Sequence, residues 1–565
     1  MDPQTKNCQN CKNEFTIEPE DFDFYKKIKV PSPTFCPECR IIRRAIFLNR
    51  SNLYKKTEEI NRKKVFSNYP EEADVKIYDH DYWWSDKWNP MDYGVEVDFK
   101  KPFLKQLKEL NSAVPWPSRS VRGMVNSDYC NQASYLKNCY LCFNTNNEEN
   151  CQYCVSSNYA KDSLDCYSTP KAELCYEVAD SANSFQCFNC SHIENCRNLR
   201  FCEECTNCND CFGCFNLRSK SYYIWNQPYF KEEYFEELKK INTGSYVEVE
   251  KIKEKFNKLK LKLPRKYIHG VHNKNVSGDY VYNSKNTFNS YEVSGCENVR
   301  YSQDFAPNVS DSYDYTNWGQ NSELVYEACG CGDNCQNIKF CFDCWPAMQD
   351  SEYCLGCHSC SNLFGCVGLR SKQYCILNKQ YTKERYEELV SKIKKHMEEM
   401  PYIDSRGMKY VYGEFFPHEF SFLAYNETLV IDYFSKTKTQ AEKEKYFWRD
   451  KKPAEYKITV KAGDLPDDIK NVKEDILKEV IQCGSCKNAF KLTSAEFGFY
   501  QRFLIPLPRL CFNCRHTERR KKINPLKLWH RKCMKPGCVN EFETSYAPGR
   551  PEIIYCEQCY NAEVA

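Results

Sequence analysis

From Ser127 to Lys220 cysteine recurs on a twelve-residue clock. One column is Cys130, Cys142, Cys154, Cys166, Val178, Cys190, Cys202 and Cys214. A second is Cys139, Cys151, Ser163, Cys175, Cys187, Leu199 and Cys211, so the unit reads C-x2-C-x8. So short a period, with no 3.6-residue pattern, points to a narrow β-solenoid whose rungs lie one on another. Twelve residues at about 3.3 Å each allow a circuit of roughly 40 Å, which leaves a lumen for one or two small side chains per rung. Cysteine is small, apolar and polarizable, and suits that lumen.

A second block, from about Val281 to Lys372, repeats the idea with fewer cysteines. Cys202, Cys205, Cys208, Cys214, Arg218 and Lys220 return 152 residues later as Cys354, Cys357, Cys360, Cys366, Arg370 and Lys372. A two-residue deletion aligns Cys187 and Cys190 with Cys341 and Cys344 in the preceding rung. Val293, Phe305 and Leu363 take inner positions in place of cysteine, so much of the sulfur reads as packing material. Each block leaves through an apolar strand and a charged helix (Tyr229 to Leu238, Tyr381 to Leu389) with Thr382 as an N-cap. These helices are expected to cap the solenoid ends.

Cysteine totals 38 of 565 residues, and the N-terminal MDPQTKNCQNC lacks a charged-then-apolar leader. Metal binding in a reducing, cytoplasmic setting is therefore expected over a secreted disulfide framework. Twelve of the cysteines form three sets of four: Cys8, Cys11, Cys36 and Cys39; Cys483, Cys486, Cys511 and Cys514; Cys533, Cys538, Cys556 and Cys559. A C-x2-C turn sets two thiolates about 3.7 Å apart, the edge of a tetrahedral zinc site, so at least three Zn2+ ions are expected in zinc ribbons. In the first two sets Lys12, Asn13, Phe15, Phe24, Tyr25 and Arg40 recur as Lys487, Asn488, Phe490, Phe499, Tyr500 and Arg515 at a constant offset of 475, which marks a duplication. Four thiolates leave no open coordination position, so these sites read as structural and not catalytic.

The solenoid cysteines leave three alternatives. Stacked steps such as Cys139 and Cys142 over Cys151 and Cys154 offer four sulfurs, and Cys187, Cys190, Cys202 and Cys205 form a similar candidate set. A four-thiolate zinc carries roughly −2, costly to repeat along a narrow core. Pure packing and disulfides are the other two readings.

The chain is a multidomain, β-rich protein on this reading, with zinc ribbons at both ends flanking two cysteine-rich β-solenoid-like repeat blocks capped by short helices. Its expected segments are a ribbon with a basic helix (1–64), an aromatic and acidic connector (65–126), the first solenoid (127–228), a helical cap and linker (229–275), the second solenoid (276–380), a cap helix (381–401), a small α/β linker domain (402–480), the second ribbon (481–530) and the C-terminal ribbon (531–565). No run of 18 apolar residues predicts a membrane span.

Lys plus Arg is 80 against 77 Asp plus Glu, so any polyanion preference has to come from local clustering. Two clusters exist, each leaving the second knuckle of a duplicated ribbon. One carries Arg40, Arg43 and Arg44; the other carries Arg515, Arg519, Arg520, Lys521 and Lys522. A rigid knuckle followed by a basic, aromatic-flecked helix suits phosphate contact with base stacking, which makes RNA or DNA, within a larger assembly, the leading partner expectation. A solvated face, or one docked on an acidic patch such as the cap helices, is the plainer reading. Between Asp79 and Asp92 four acids and three tryptophans crowd around His80; a ligand pocket there would suit an enzyme, whereas an aromatic cluster packing ribbon on solenoid is the favoured expectation. No P-loop, GxGxxG, GxSxG or HExxH pattern occurs. His192 and His358, beside solenoid cysteines, are the remaining nucleophile-pair candidates. The leading functional expectation is a non-enzymatic zinc scaffold, with a protein-interaction scaffold and an Asp79–Asp92 enzyme as alternatives.

CQNCKNEFTIEPEDFDFYKKIKVPSPTFCPECR, DYWWSDKWNPMDYG, the DCFGC step running into NLRSKSYYIWN, and CMKPGCVNEFETSYAPGRPEIIYCEQCY together resemble a group of uncharacterised cysteine-rich, multi-zinc-ribbon proteins encoded in the reduced genomes of candidate-phyla bacteria. The likeness spans nearly the whole chain. It implies cytoplasmic zinc binding and carries no catalytic role.

Overall fold

In the first solenoid the chain turns a corner every three residues. Gln132, Tyr135, Asn138, Leu141, Asn144, Asn147 and Asn150 all have φ between 49° and 58°, and the series continues to Asn207 and Asp210. Asparagine and aspartate tolerate this left-handed region best, and they hold many of the corners. The residue after each corner points inward and is buried. Four corners per twelve-residue rung therefore put four side chains in the lumen, not the one or two that circuit length suggests. Two inner columns are the cysteine columns. The other two hold Ala133, Thr145, Ser157, Thr169 and then Ile193, Cys205, and Leu136, Glu148, Ala160, Ala172 and then Cys196, Cys208. Parallel bonds tie each rung to both neighbours, as in Tyr140 N to Cys151 O at 3.0 Å and Asn138 N to Val125 O at 2.9 Å. Outside, an amide ladder runs Asn126, Asn138, Asn150, Asp162, with Nδ2 to Oδ1 distances of 3.1, 3.0 and 2.9 Å.

The structure, a computed structural model, describes the chain except residues 1, 50, 305–307, 333–337, 451–455 and 565. In the second solenoid Val293 and Leu363 do fill the lumen, at 1% and 0% exposed; Phe305 lies outside the described residues. Its middle rungs are thirteen residues long: Arg300, Tyr313, Tyr326, Lys339 and Glu352 bridge in succession, before the period returns to twelve at Phe364. Phe342 N bonds Cys354 O at 3.1 Å, which stacks Cys341 directly under Cys354. Cys341 thus corresponds to Cys190, and a one-residue insertion replaces the expected two-residue deletion.

The helices Lys231–Lys239 and Lys383–Glu399 pack on the last strand of each solenoid. Thr382 Oγ1 accepts from Arg385 N at the start of the second, as its side chain predicts. Each duplicated ribbon has two helices: Pro19–Lys27 and Pro37–Ala45 in the first, Ser494–Phe503 and Phe512–Arg520 in the second. Cys36 and Cys511 are the N-caps of the later helices. The two ribbons dock crosswise. Phe24 stacks on Tyr313 of the second solenoid at 3.8 Å, and Tyr500 meets Tyr176 of the first at 5.5 Å. The solenoids touch each other through Tyr167 Oη to Glu292 at 2.9 Å and Tyr282 Oη to Asp180 at 3.1 Å. Residues of the 402–480 segment, Phe415, Phe416 and Phe420 among them, fill out the core around the first ribbon. Among the described residues no helix is long and apolar enough to cross a membrane.

Candidate metal centres

Each terminal set of four cysteines converges. In all three the sulfurs lie within 4.8 Å of one another. Across knuckles, Cys11 to Cys36 is 3.7 Å, Cys486 to Cys511 is 3.6 Å and Cys538 to Cys556 is 3.9 Å. Those are edge lengths of a tetrahedron with bonds near 2.3 Å. The knuckles are shaped by their backbone: Cys8 N bonds Asn13 O at 2.9 Å with Lys12 at φ 66°, and Cys483 N bonds Asn488 O at 2.8 Å with Lys487 at φ 64°. Backbone amides point at the sulfurs, with Cys36 N to Cys8 Sγ, Cys511 N to Cys483 Sγ and Cys556 N to Cys533 Sγ all at 3.3 Å. Such donors favour thiolate over thiol. Burial pushes the Cys483 thiol up, but the amides of Cys511, Cys486 and Ser485 outweigh it and bring it to about 7. These groups can each hold a metal ion. All described cysteines are free thiols.

In the first solenoid Cys139 and Cys142 lie over Cys151 and Cys154, all four inward and buried. Glu148, which the sequence reading passed over, enters the same space: it lies within 4.8 Å of the first pair and of the second. Its signal was its phase, six residues after Cys142 and three before Cys151. Cys187, Cys190, Cys202 and Cys205 do not repeat this stack. Leu199 follows Cys187 in its column, and Cys205 sits on the next wall beyond Cys202.

The basic residues go where the sequence reading did not send them. Arg40 Nε donates to Asp314 at 2.8 Å and Arg44 Nη1 to the same carboxylate at 3.1 Å. Arg43 bridges Glu327 at 2.6 Å and Glu414 at 2.7 Å. In the second ribbon Asp165 takes Arg515 at 3.2 Å and Arg519 at 2.8 Å; Arg515 also reaches Glu496, Arg519 reaches Glu177, and Arg520 reaches Glu292 at 3.1 Å. None of these six side chains is more than 8% exposed. Arg40, Arg43, Arg44, Arg515, Arg519 and Arg520 are thus withdrawn as phosphate contacts, because buried charge of this kind is held only by its partner charge. The acids they meet are chiefly on the solenoid walls, with Glu414 and Glu496 beside them, and not on the cap helices. Only Lys521 and Lys522 stay exposed, and Lys521 pairs with Glu518 at 2.6 Å.

The Asp79–Asp92 stretch is a filled aromatic cluster. Trp83 is 1% exposed and donates to Pro115 O at 2.9 Å; Trp88 donates to Trp83 O at 2.7 Å; Arg370 lies over both rings. Asp79 caps Asp81 N. The ligand-pocket alternative fails here, since aromatic rings occupy the space. His192 pairs with Asp180 at 2.9 Å, and His358 faces the Trp345 carbonyl.

No protein-family model matches the chain, and no curated protein matches it. Among solved structures it is similar to a crystal structure described as that of a candidate acetyltransferase from Desulfovibrio desulfuricans G20. The match has 10% identity and a TM-score of 0.10, over 51% of this chain and 85% of the other. At that score no common fold is defined, and acetyl transfer is not carried over.

Proposed function

We propose that this chain is a zinc-stapled scaffold of a reducing cytoplasm, acting through the surface it presents and not through catalysis. One observation carries the reading: the cysteine that opens the second knuckle of each duplicated ribbon also starts the helix that clamps a solenoid. Cys36 caps the helix bearing Arg40, Arg43 and Arg44, and Cys511 caps the helix bearing Arg515, Arg519 and Arg520. Metal binding would set the direction of each helix and so the fit of its arginines in the carboxylate sockets. Four sulfurs per site suit zinc, a structural ion with no redox chemistry of its own. Membership of the multi-zinc-ribbon group belongs to the same proposal. Of the expected phosphate contacts only Lys521 and Lys522 remain exposed, and we do not propose nucleic-acid contact.

Elemental analysis of protein purified without added metal should give at least three zinc ions per chain. Cys36→Ser and Cys511→Ser should each release one and loosen the matching helix, read by hydrogen exchange, while the solenoid rungs stay protected. Fewer than two zinc ions in the wild type would overturn the reading.

A further inference from the structure

The geometry points to a fourth metal centre inside the first solenoid, where a thiophilic divalent cation is held by Glu148 together with two thiolates from the stacked pairs Cys139/Cys142 and Cys151/Cys154. Three independent observations meet there. The first is position. Down the two cysteine columns, successive rungs pair as Ser127 with Cys130, Cys139 with Cys142, Cys151 with Cys154, Ser163 with Cys166, and Cys175 with Val178. Of these, the two complete cysteine pairs are adjacent, and Glu148 is, with Thr145, one of the two inward residues on the chain that joins them. In the same column its counterparts are Leu136, Ala160, Ala172, Ser184, Cys196 and Cys208, so Glu148 is the one carboxylate there among the described residues.

The second is reach. A Glu148 carboxylate oxygen and the sulfurs of Cys139 and Cys142 are mutually within 4.8 Å, and the same holds for Cys151 and Cys154. The third is an unmet need. Glu148 is 1% exposed, and Oε1 accepts from Thr145 Oγ1 at 2.7 Å, but Oε2 finds no N–H or O–H donor. Among the described residues no lysine or arginine enters the lumen around it. A carboxylate so placed is strongly disfavoured unless a cation or a proton compensates it. A divalent ion does so directly. Bound by the carboxylate and two thiolates, with the other two thiols protonated, it leaves about −1 on the site, against about −2 for an all-thiolate set. That removes the main electrostatic objection to metal in so narrow a core.

The test is metal counting with zinc as the probe. Wild-type protein should hold four zinc ions per chain. Glu148→Gln, nearly isosteric, should hold three, and Cys151→Ser, a change to the residue that Ser163 already places in this column, should lose the same ion. Adding Cys511→Ser to Glu148→Gln should lower the count to two, which separates this centre from the ribbon sites. Thermal unfolding gives a second, independent sign. If Glu148 serves a metal, Glu148→Gln lowers the melting temperature of zinc-replete protein; if Glu148 is only a buried protonated acid, removing it leaves the temperature unchanged or raises it. Three zinc ions in the wild type, or four retained in Glu148→Gln, would overturn the proposal while leaving the ribbon sites standing. Loss of ribbon zinc with the fourth ion retained would do the reverse.

Discussion

The carboxylate sockets allow a sharp test at Asp165. This residue is fully buried and forms ion pairs with Arg515 at 3.2 Å and Arg519 at 2.8 Å. Asp165→Asn keeps its shape and suits its left-handed corner at φ 55°, so the backbone is left in place. What changes is one charge between two guanidinium groups. Breaking a buried ion pair costs about 3–5 kcal/mol. Here Arg515 keeps Glu496 and Arg519 keeps Glu177, each at 2.9 Å, which favours the lower end, about 3 kcal/mol. At about 1.4 kcal/mol per decade that is a roughly hundredfold rise in undocking of the second ribbon. Hydrogen exchange read by mass spectrometry on the helix Phe512–Arg520 measures it, and the equivalent helix Pro37–Ala45, seated on the other solenoid, is the internal control. A loss of protection below about 1 kcal/mol, or an equal loss in both helices, would refute the socket reasoning.

Two further outcomes are expected. A Cβ at Gly278, where φ is 135°, would sit 1.8 Å from Ser290 O, a backbone atom of the next rung; Gly278→Ala should cost about 3 kcal/mol or more in chemical denaturation, and an unchanged midpoint would contradict the rung spacing. At the junction of the solenoids with the C-terminal ribbon, burial opposes the charged form of His269, but Asp279 at 2.9 Å, with Tyr546 and Glu204, overrides it and holds the pKa well above its ordinary value. The stabilisation is complete below about pH 6.5 and drains as the pH rises through the folded value, so the melting-temperature gap between wild type and His269→Gln should narrow as the pH is raised above about 6.5; a widening gap would count against the pairing.

Much of this molecule was legible in its sequence. The three four-cysteine sets, the ribbon duplication and the twelve-residue period needed only spacing. The number of lumen columns did not show, because along the earlier rungs two of the four are filled mostly by alanine, serine, threonine and leucine, residues that carry no signal of their own. Yet a phase mark was present: Asn138, Asn150 and Asn189 each immediately precede an inward cysteine, and asparagine favours the corner conformation. Counting by threes from those marks also finds Glu148. The arginine sockets were out of reach. Local charge density cannot tell a solvated cation from one whose partner lies 274 positions on, as for Arg40 and Asp314, and no short-range pattern distinguishes the two.

The crosswise seating of the ribbons also orders events during synthesis. Arg43 leaves the ribosome 284 residues ahead of Glu327. At roughly 5–20 residues per second, its helix waits on the order of 14 to 60 s for the carboxylate that will neutralise it. The second ribbon faces no such delay, since Asp165 and Glu177 have long been made when Arg515 and Arg519 emerge. The first ribbon is thus made well before its seat, and that interval is when a newborn chain would be most exposed to capture by polyanions or by its own siblings.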